Sequence, residues 1–294
     1  MGTTPLLFAR FFVYFQGTPN PIPRIAIYQK VAILFLSCSA MNALKNILFK
    51  ILRLIGIFAL IYVCLLLYMV MSERRLAFPR AEIDDASESA LRDNAVLCHV
   101  ENDKKLQGWI LNDSLPTTAL YFADRGEDAA TFLANAKRIS GFRLVTFNYR
   151  GSAGSEGTPG EKYYDSDIRA MVGCANSNDL IFIGHGTGAI AAYNSFASGL
   201  GKGALLVDPA ESFSSALSAR YRIFFPKFLS RTHSRMIFSD EQSNPATVIA
   251  DDPRRGELVR NLLNKHSKKF TLVEREGNSL LEVMQAELTK IKTK

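Results

Sequence analysis

No aspartate or glutamate occurs between Met1 and Met71, a stretch that carries Arg10, Arg24, Lys30, Lys45, Lys50 and Arg53. Of the formal charge of +7, that segment holds +6, which leaves Ser72 to Lys294 at +1. A nucleic-acid-binding domain needs its basic charge on the folded face that meets phosphate, so the high isoelectric point gives no support for a nucleic-acid partner. Cysteine is sparse and dispersed. Cys38, Cys64, Cys98 and Cys174 have neither the spacing of a zinc or redox motif nor the density of a disulfide framework. Two of them sit in apolar runs, where a thiol behaves as a small hydrophobe. No metal site and no cofactor is expected. Internal repeats and low-complexity tracts are also lacking, which excludes a solenoid.

Against these absences stands a chain of 294 residues, 48% hydrophobic and 21% charged, enough for one large packed domain with an appendage. Leu54 to Met71 reads LIGIFALIYVCLLLYMVM without a charge, and Ile47 to Leu52 extends it. About 18 apolar residues reach the lower range for crossing a hydrocarbon core of roughly 30 Å, so 47–71 is expected to be a single transmembrane helix and the bilayer its partner. The run exceeds a signal-peptide core and lacks a small-x-small cleavage site after Tyr68. Lys45, Lys50 and Arg53 before the span are matched by Arg74, Arg75 and Arg80 after it, so the positive-inside rule gives no orientation. The acid-free leader favours a signal-anchor with the soluble domain on the non-cytoplasmic side. Residues 1–46 read as an N-terminal extension in which Met41 offers an alternative start, and 72–94 as a charged, irregular linker.

From 95 onward, short β-rich apolar runs alternate with helical stretches, the pattern of a mostly parallel sheet covered by helices on both faces. Strands are expected at Val96–Val100 and Leu106–Leu111, joined by a turn at Asn102-Asp103, then at Ala119–Phe122, Leu144–Asn148, Leu180–Ile183, Ala204–Val207, Thr247–Ala250 and Phe270–Val273. Helices fit at Asp128–Ile139, Lys162–Val172, Thr187–Ser198, Gly256–His266 and Leu280–Ile291. The aromatic, basic segment at about 209–245 reads as a small cap insertion, with a cap helix over Arg220 to Arg235. Its Phe and Arg content also suits an interfacial segment on lipid.

Two stretches carry chemistry. Asn148-Tyr-Arg-Gly-Ser-Ala-Gly-Ser-Glu-Gly-Thr-Pro-Gly-Glu follows a strand as a glycine-rich loop, and Leu180-Ile-Phe-Ile-Gly-His-Gly-Thr-Gly-Ala-Ile-Ala-Ala turns sharply from strand to helix. Together with Leu106-Gln-Gly-Trp-Ile, they resemble the α/β-hydrolase fold and, within it, the membrane-anchored serine hydrolases of the bud-emergence-protein-like group. The resemblance runs from Ala95 to the C-terminus, and the Tyr149-to-Pro159 loop is its most specific part. It implies an eight-stranded sheet and a G-x-S-x-G nucleophile elbow. Here the elbow is Gly184-His185-Gly186-Thr187-Gly188, which puts Gly186 at the serine position, where no atom can attack a carbonyl. The family acid falls on Asp252, with Asp251 the second choice, and the family histidine on Asn278, whose amide is no base near neutral pH. His99, His185, His233 and His266 lie elsewhere in this alignment. The oxyanion loop becomes Phe122-Ala-Asp-Arg-Gly-Glu-Asp, so Thr187 N–H remains as an oxyanion donor while Asp124 opposes negative charge beside it.

Three departures together point to a catalytically inactive pseudo-hydrolase acting as a scaffold or binding protein for an unknown protein or small molecule. Blander readings stand beside it: Gly186 as a close-packing glycine, Asp252 as a loop or N-cap acid, and Ser152 and Ser155 as turn serines. One alternative is a working esterase or thioesterase with a non-standard nucleophile. A second is a dinucleotide-binding protein. Gly184, Gly186 and Ala189 fit G-x-G-x-x-G/A between strand and helix, and Asp208 ends the next strand near the spacing of a ribose-binding acid.

Overall fold

Alternation with a period of two sorts the central strand residues into two buried sets. Leu120, Phe122, Val145, Phe147, Phe182, Leu206 and Val248 face one cluster of the core. Their neighbours Ala119, Tyr121, Leu144, Ile181, Ile183, Leu205, Val207 and Ile249 face the other. A strand buried on both faces is apolar throughout, which is why these runs show no polar side. The computed structural model describes residues 22–239 and 244–293. The first 21 residues of the expected extension, and the cap between 240 and 243, lie outside the described residues.

The chain divides between Val63 and Cys64. On the N-terminal side runs helix α1 (Ile22–Met71), which ends inside the folded unit. Its stretch Leu44–Met71, 28 residues, is long and apolar enough to cross a membrane, and none of its most apolar window is buried within the protein. The helix therefore starts well before residue 47, inside the segment read as an extension. The expected linker is also more structured than its composition suggests. It forms α2 (Glu73–Ala77) and α3 (Asp85–Ala90). Ala77 and Ala81 are buried, and Ser152 Oγ accepts the Ala81 N–H at 2.6 Å.

The folded unit then runs β1 (Ala95–Val100), β2 (Lys104–Leu111), β3 (Thr118–Phe122), α4 (Ala129–Asn135), β4 (Arg143–Phe147), α5 (Tyr164–Cys174), β5 (Leu180–His185) and α6 (Gly188–Ala197). It continues with β6 (Gly203–Val207), α7 (Phe213–Tyr221), β7 (Ala246–Ile249), α8 (Gly256–Lys265), β8 (Phe270–Val273) and α9 (Leu280–Lys292). The eight strands form one sheet in the order β1-β2-β4-β3-β5-β6-β7-β8. Only β2 is antiparallel to its neighbours β1 and β4. The fold is thus the expected α/β-hydrolase architecture. Helices α5, α6 and α8 cover one face through Ile168, Ile190, Tyr193 and Leu262. On the other face lie α4 and α9, through Leu133, Met284 and Leu288.

Two expectations need correction. Cys98 on β1 and Cys174 at the end of α5 form a disulfide across 76 residues, although nothing in their spacing marks them as partners. In the cap, the helix is Phe213–Tyr221 rather than the segment after Arg220. It starts at Ser212, whose hydroxyl accepts the Ser215 N–H while the Ser215 hydroxyl takes the Ser212 N–H, each at 3.0 Å. It stops because Arg222 turns left-handed (φ 48°) and Pro226 lacks an N–H, leaving short turns at Arg222–Phe224 and Lys227–Leu229.

Candidate functional site

β5 leaves the sheet at His185 and α6 begins at Gly188, so two residues make the whole turn. Gly186 takes φ +56°, a backbone state that strains an L side chain. Its N–H donates to Val207 O at 2.9 Å, and its carbonyl accepts the Ala210 N–H at 3.0 Å, which pins the turn to the end of β6. Gly188 presses on β3: a Cβ there would fall on the carbonyl oxygens of Phe122 and Ala123.

The space beside Gly186 is taken. A Cβ on Gly186 would fall on Asp124 Oδ1 and on Arg255 Nη1. Asp124 Oδ1 accepts both the Thr187 N–H and the Thr187 hydroxyl at 2.8 Å. Its Oδ2 accepts from Arg255 Nη2 at 2.5 Å. Burial by itself would raise the Asp124 carboxyl, but the Arg255 guanidinium and the Thr187 N–H outweigh it and hold the group below the ordinary carboxylate range. A buried, hydrogen-bonded carboxylate therefore sits at the N-terminus of α6, where the helix dipole and the Thr187 N–H favour an anion.

Behind this pair lies a second polar pair. Glu127 accepts the Tyr121 hydroxyl at 2.7 Å and the Asp124 N–H at 2.9 Å, and its Oε2 lies 2.8 Å from His185 Nδ1. Burial by itself would lower the His185 imidazole; the Glu127 contact and charge reverse this and raise it above its ordinary value. Asp208, left-handed at φ 47°, accepts the Asp251 and Asp252 N–H groups at 2.8 and 2.9 Å. Burial raises the Asp208 carboxyl despite those bonds.

Asp124, Thr187, Asp208, Asp252 and Arg255 line one open depression of ≈ 510 Å³, rimmed by Arg220, Arg222 and Arg254. The apolar space on the other side of Thr187, against Phe78, Tyr149, Tyr164 and Phe213, measures only ≈ 40 Å³. That is about the room of one or two waters, not of an acyl chain. Asp252 thus shares the depression with the elbow, but its Oδ1 accepts the Arg254 N–H at 2.9 Å in a local loop turn. Asn278 does not join them. It lines a separate depression with Glu274, Glu276 and Glu282, beyond a turn at Glu276 and Gly277 whose φ values are 46° and 85°. Three of the four histidine side chains lie beside other carboxylates. His99 lies near Asp103, His185 beside Glu127, and His266 near Glu211, while the His233 N–H is bound by Glu161.

The dinucleotide alternative finds its anion site filled, because the helix N–H that would meet a pyrophosphate is bonded to Asp124. Asp208 already accepts one backbone N–H on each of its oxygens. The serines of the glycine-rich loop are structural. Ser155 Oγ accepts the Gln107 N–H and donates to Asn148 O, each at 2.9 Å. The loop is held further by the buried pair Arg150–Asp167, at 2.8 and 2.5 Å.

Sequence reasoning missed Arg255 and the partnership of Glu127 with His185. Only one signal pointed to Arg255: a buried Asp124 demands a cation, and the loop after β7 supplies Arg254 and Arg255.

The fold has counterparts among known proteins. The sequence model described as the alpha/beta hydrolase family matches residues 96–276, more than half of the chain. No curated protein matches by sequence. Among solved structures, an esterase of Pyrococcus furiosus aligns with a TM-score of 0.55 at 13% identity, covering 74% of this chain and 96% of its own. An alpha-beta hydrolase from Vibrio vulnificus gives 0.57 at 19% identity, over 73% and 88%. One from Sphaerobacter thermophilus gives 0.50 at 13%, over 67% and 99%. At such identities the likeness is one of fold, and it agrees with the family match. The chain belongs to the alpha/beta hydrolase family.

Proposed function

We propose that this chain is a membrane-anchored member of the family that has lost hydrolase activity and acts as a binding protein or scaffold. The observation that carries the reading is the occupied elbow. Gly186 offers no nucleophilic atom, and the Asp124–Arg255 pair fills the volume a serine side chain would need. The same carboxylate takes the Thr187 N–H that an oxyanion would use. Mapped on the membrane-anchored serine hydrolases of the bud-emergence-protein-like group, Gly186, Asp252 and Asn278 hold the triad positions. The ligand would be a protein or a small molecule seated in the depression lined by Asp208, Asp252 and the arginines. The bilayer is the second partner, through Leu44–Met71.

The Cys98–Cys174 disulfide supports a soluble domain on the non-cytoplasmic side, since such bonds persist in oxidising compartments. The second reading, an esterase with a non-standard nucleophile, has one observation in its favour: the Thr187 hydroxyl donates to a carboxylate at 2.8 Å. Against it, that carboxylate is held below its ordinary range, which makes it a weak base, and the neighbouring apolar space is too small for an acyl group. A fluorophosphonate probe separates the two. The expected result on the full chain is no labelling. Labelling abolished by one serine or threonine substitution would establish the esterase instead.

A further inference from the structure

We propose that the cap surface made by Ile223, Phe224 and Phe228 with Arg222 and Lys227 docks on the anionic lipid surface of the membrane that helix α1 enters. The proposal rests on the reading of Leu44–Met71 as a span. Ile223, Phe224 and Phe228 are large apolar residues left 67%, 42% and 83% exposed within six positions. One exposed hydrophobe is ordinary, whereas a cluster of this kind marks a surface that meets something apolar. Within the cap segment itself the charge has one sign. From Phe213 to Ser239 the chain carries Arg220, Arg222, Lys227, Arg231 and Arg235 and no acid. Arg75 and Arg80, just past the apolar helix, are exposed and share a depression with Arg220, Glu82 and Asp84.

Position supplies the second argument. The cap is tied to the last turn of α1. Glu73, two residues past Met71 and buried, accepts the Ser230 hydroxyl at 2.6 Å, the Arg231 N–H at 2.8 Å, the Thr232 N–H at 2.9 Å and the Thr232 hydroxyl at 2.7 Å. Arg231 Nη2 donates to Val70 O at 2.6 Å. Phe228 is three residues from Arg231, so chain length alone keeps its Cα within about 11 Å of this anchor. The headgroup layer is roughly 5–8 Å thick on each side of the hydrocarbon core, and interfacial segments sink about 5–10 Å into that zone. Phe228 is therefore within reach of the depth where aromatic side chains meet lipid and where arginine and lysine meet anionic headgroups. Arg220 and Arg222 also rim the depression beside Gly186. Docking would turn that depression toward ligands carried in the membrane.

The test uses the full chain with Cys38→Ser and Cys64→Ser, carrying an environment-sensitive fluorophore at Phe228→Cys, at Ile223→Cys or, as control, at Leu97→Cys on edge strand β1. Each is reconstituted in vesicles of phosphatidylcholine with or without phosphatidylserine, containing a brominated lipid quencher. The expected result is a blue shift and quenching at 223 and 228 with phosphatidylserine and neither at 97, with the quenching lost when Arg222→Glu and Lys227→Glu are combined. Probes at 223 and 228 quenched no more than at 97, in protein that carbonate does not extract, would overturn the docking while leaving the span intact. Equal quenching in phosphatidylcholine alone would overturn the anionic requirement. Release by carbonate would overturn the span and the docking with it.

Discussion

Asp124 Oδ1 lies 2.8 Å from the Thr187 main-chain nitrogen and accepts the hydrogen bond of its N–H. In a working elbow that N–H faces the oxygen of the acyl-transfer intermediate, where negative charge collects. Here a side-chain carboxylate holds the place at all times. Its countercharge, Arg255, comes from the loop after β7, 131 residues away in sequence. Any ligand anion seeking the helix N-terminus must first displace Asp124.

Removing Arg255 tests how much depends on that pair. Arg255→Met leaves the Asp124 charge, 9% exposed, without its partner. Breaking a buried pair costs about 3–5 kcal/mol. The guanidinium is itself 30% exposed, so water screens part of this and a loss of about 2–3 kcal/mol is expected. Asp124→Asn combined with Arg255→Met should recover most of the loss, because no lone charge then remains. The Asp124 carboxyl is depressed in the fold, so its contribution is present above the ordinary carboxylate value and lost as pH falls through the lower folded value. Thermal unfolding in detergent at pH 7 and at acid pH measures both effects. Equal stability of wild type and Arg255→Met at pH 7 would refute the account.

Restoring the missing hydroxyl should not restore an enzyme. In Gly186→Ser the new Cβ meets Asp124 and Arg255, and overpacking of that kind costs about 1–3 kcal/mol. The left-handed turn at φ +56° adds strain. Gly186→Ser should therefore unfold at lower temperature and remain unlabelled by a fluorophosphonate, since among the described residues no histidine side chain is bonded to Asp252 as a base would be. Labelling of Gly186→Ser would mean that a base lies within reach after all.

The parts of this protein that are local in sequence were legible there, and the long-range pairings were not. All eight strands were expected within about two residues of their ends, because period, length and flanking turns are local signals. The elbow was legible for the same reason, as Gly184 to Gly188 sit between one strand and one helix. Cys98 and Cys174 lie 76 residues apart, and Arg255 meets Asp124 across 131; no local pattern joins either pair. Asn278 was assigned by counting from the last strand, but the turn at Glu276 and Gly277 carries it to another depression.

His185 offers a spectroscopic reading of the second pair. Contact with Glu127 raises its imidazole in the fold. The stability it adds is complete below the ordinary histidine value of about 6.5, and fades as pH rises through the higher folded value. Glu127→Gln removes the charge while keeping a hydrogen-bond acceptor. Its effect should be to lower the His185 titration midpoint and flatten the stability change above neutral pH. Imidazole chemical shifts followed across pH in wild type and variant give the answer. An unchanged midpoint would show that Glu127 does not control the ring.

The Cys98–Cys174 bond closes a loop that contains β2, β3, β4 and most of α5, so its removal acts mainly on the unfolded chain, which regains the freedom of a 76-residue loop. The chain-entropy relation puts that at about 4.5 kcal/mol. Cys98→Ala with Cys174→Ala leaves two small apolar side chains in a packed region and creates no buried charge. Nearly all of the loss should therefore appear equally when the wild type is reduced. Unfolding temperatures of the double variant and of the protein with and without a reductant make the comparison, and alkylation of unreduced protein from its native membrane tests the bond itself. With the bond present, neither Cys98 nor Cys174 reacts before reduction. Modification of Cys98 or Cys174 without reduction would show that the domain resides in a reducing compartment.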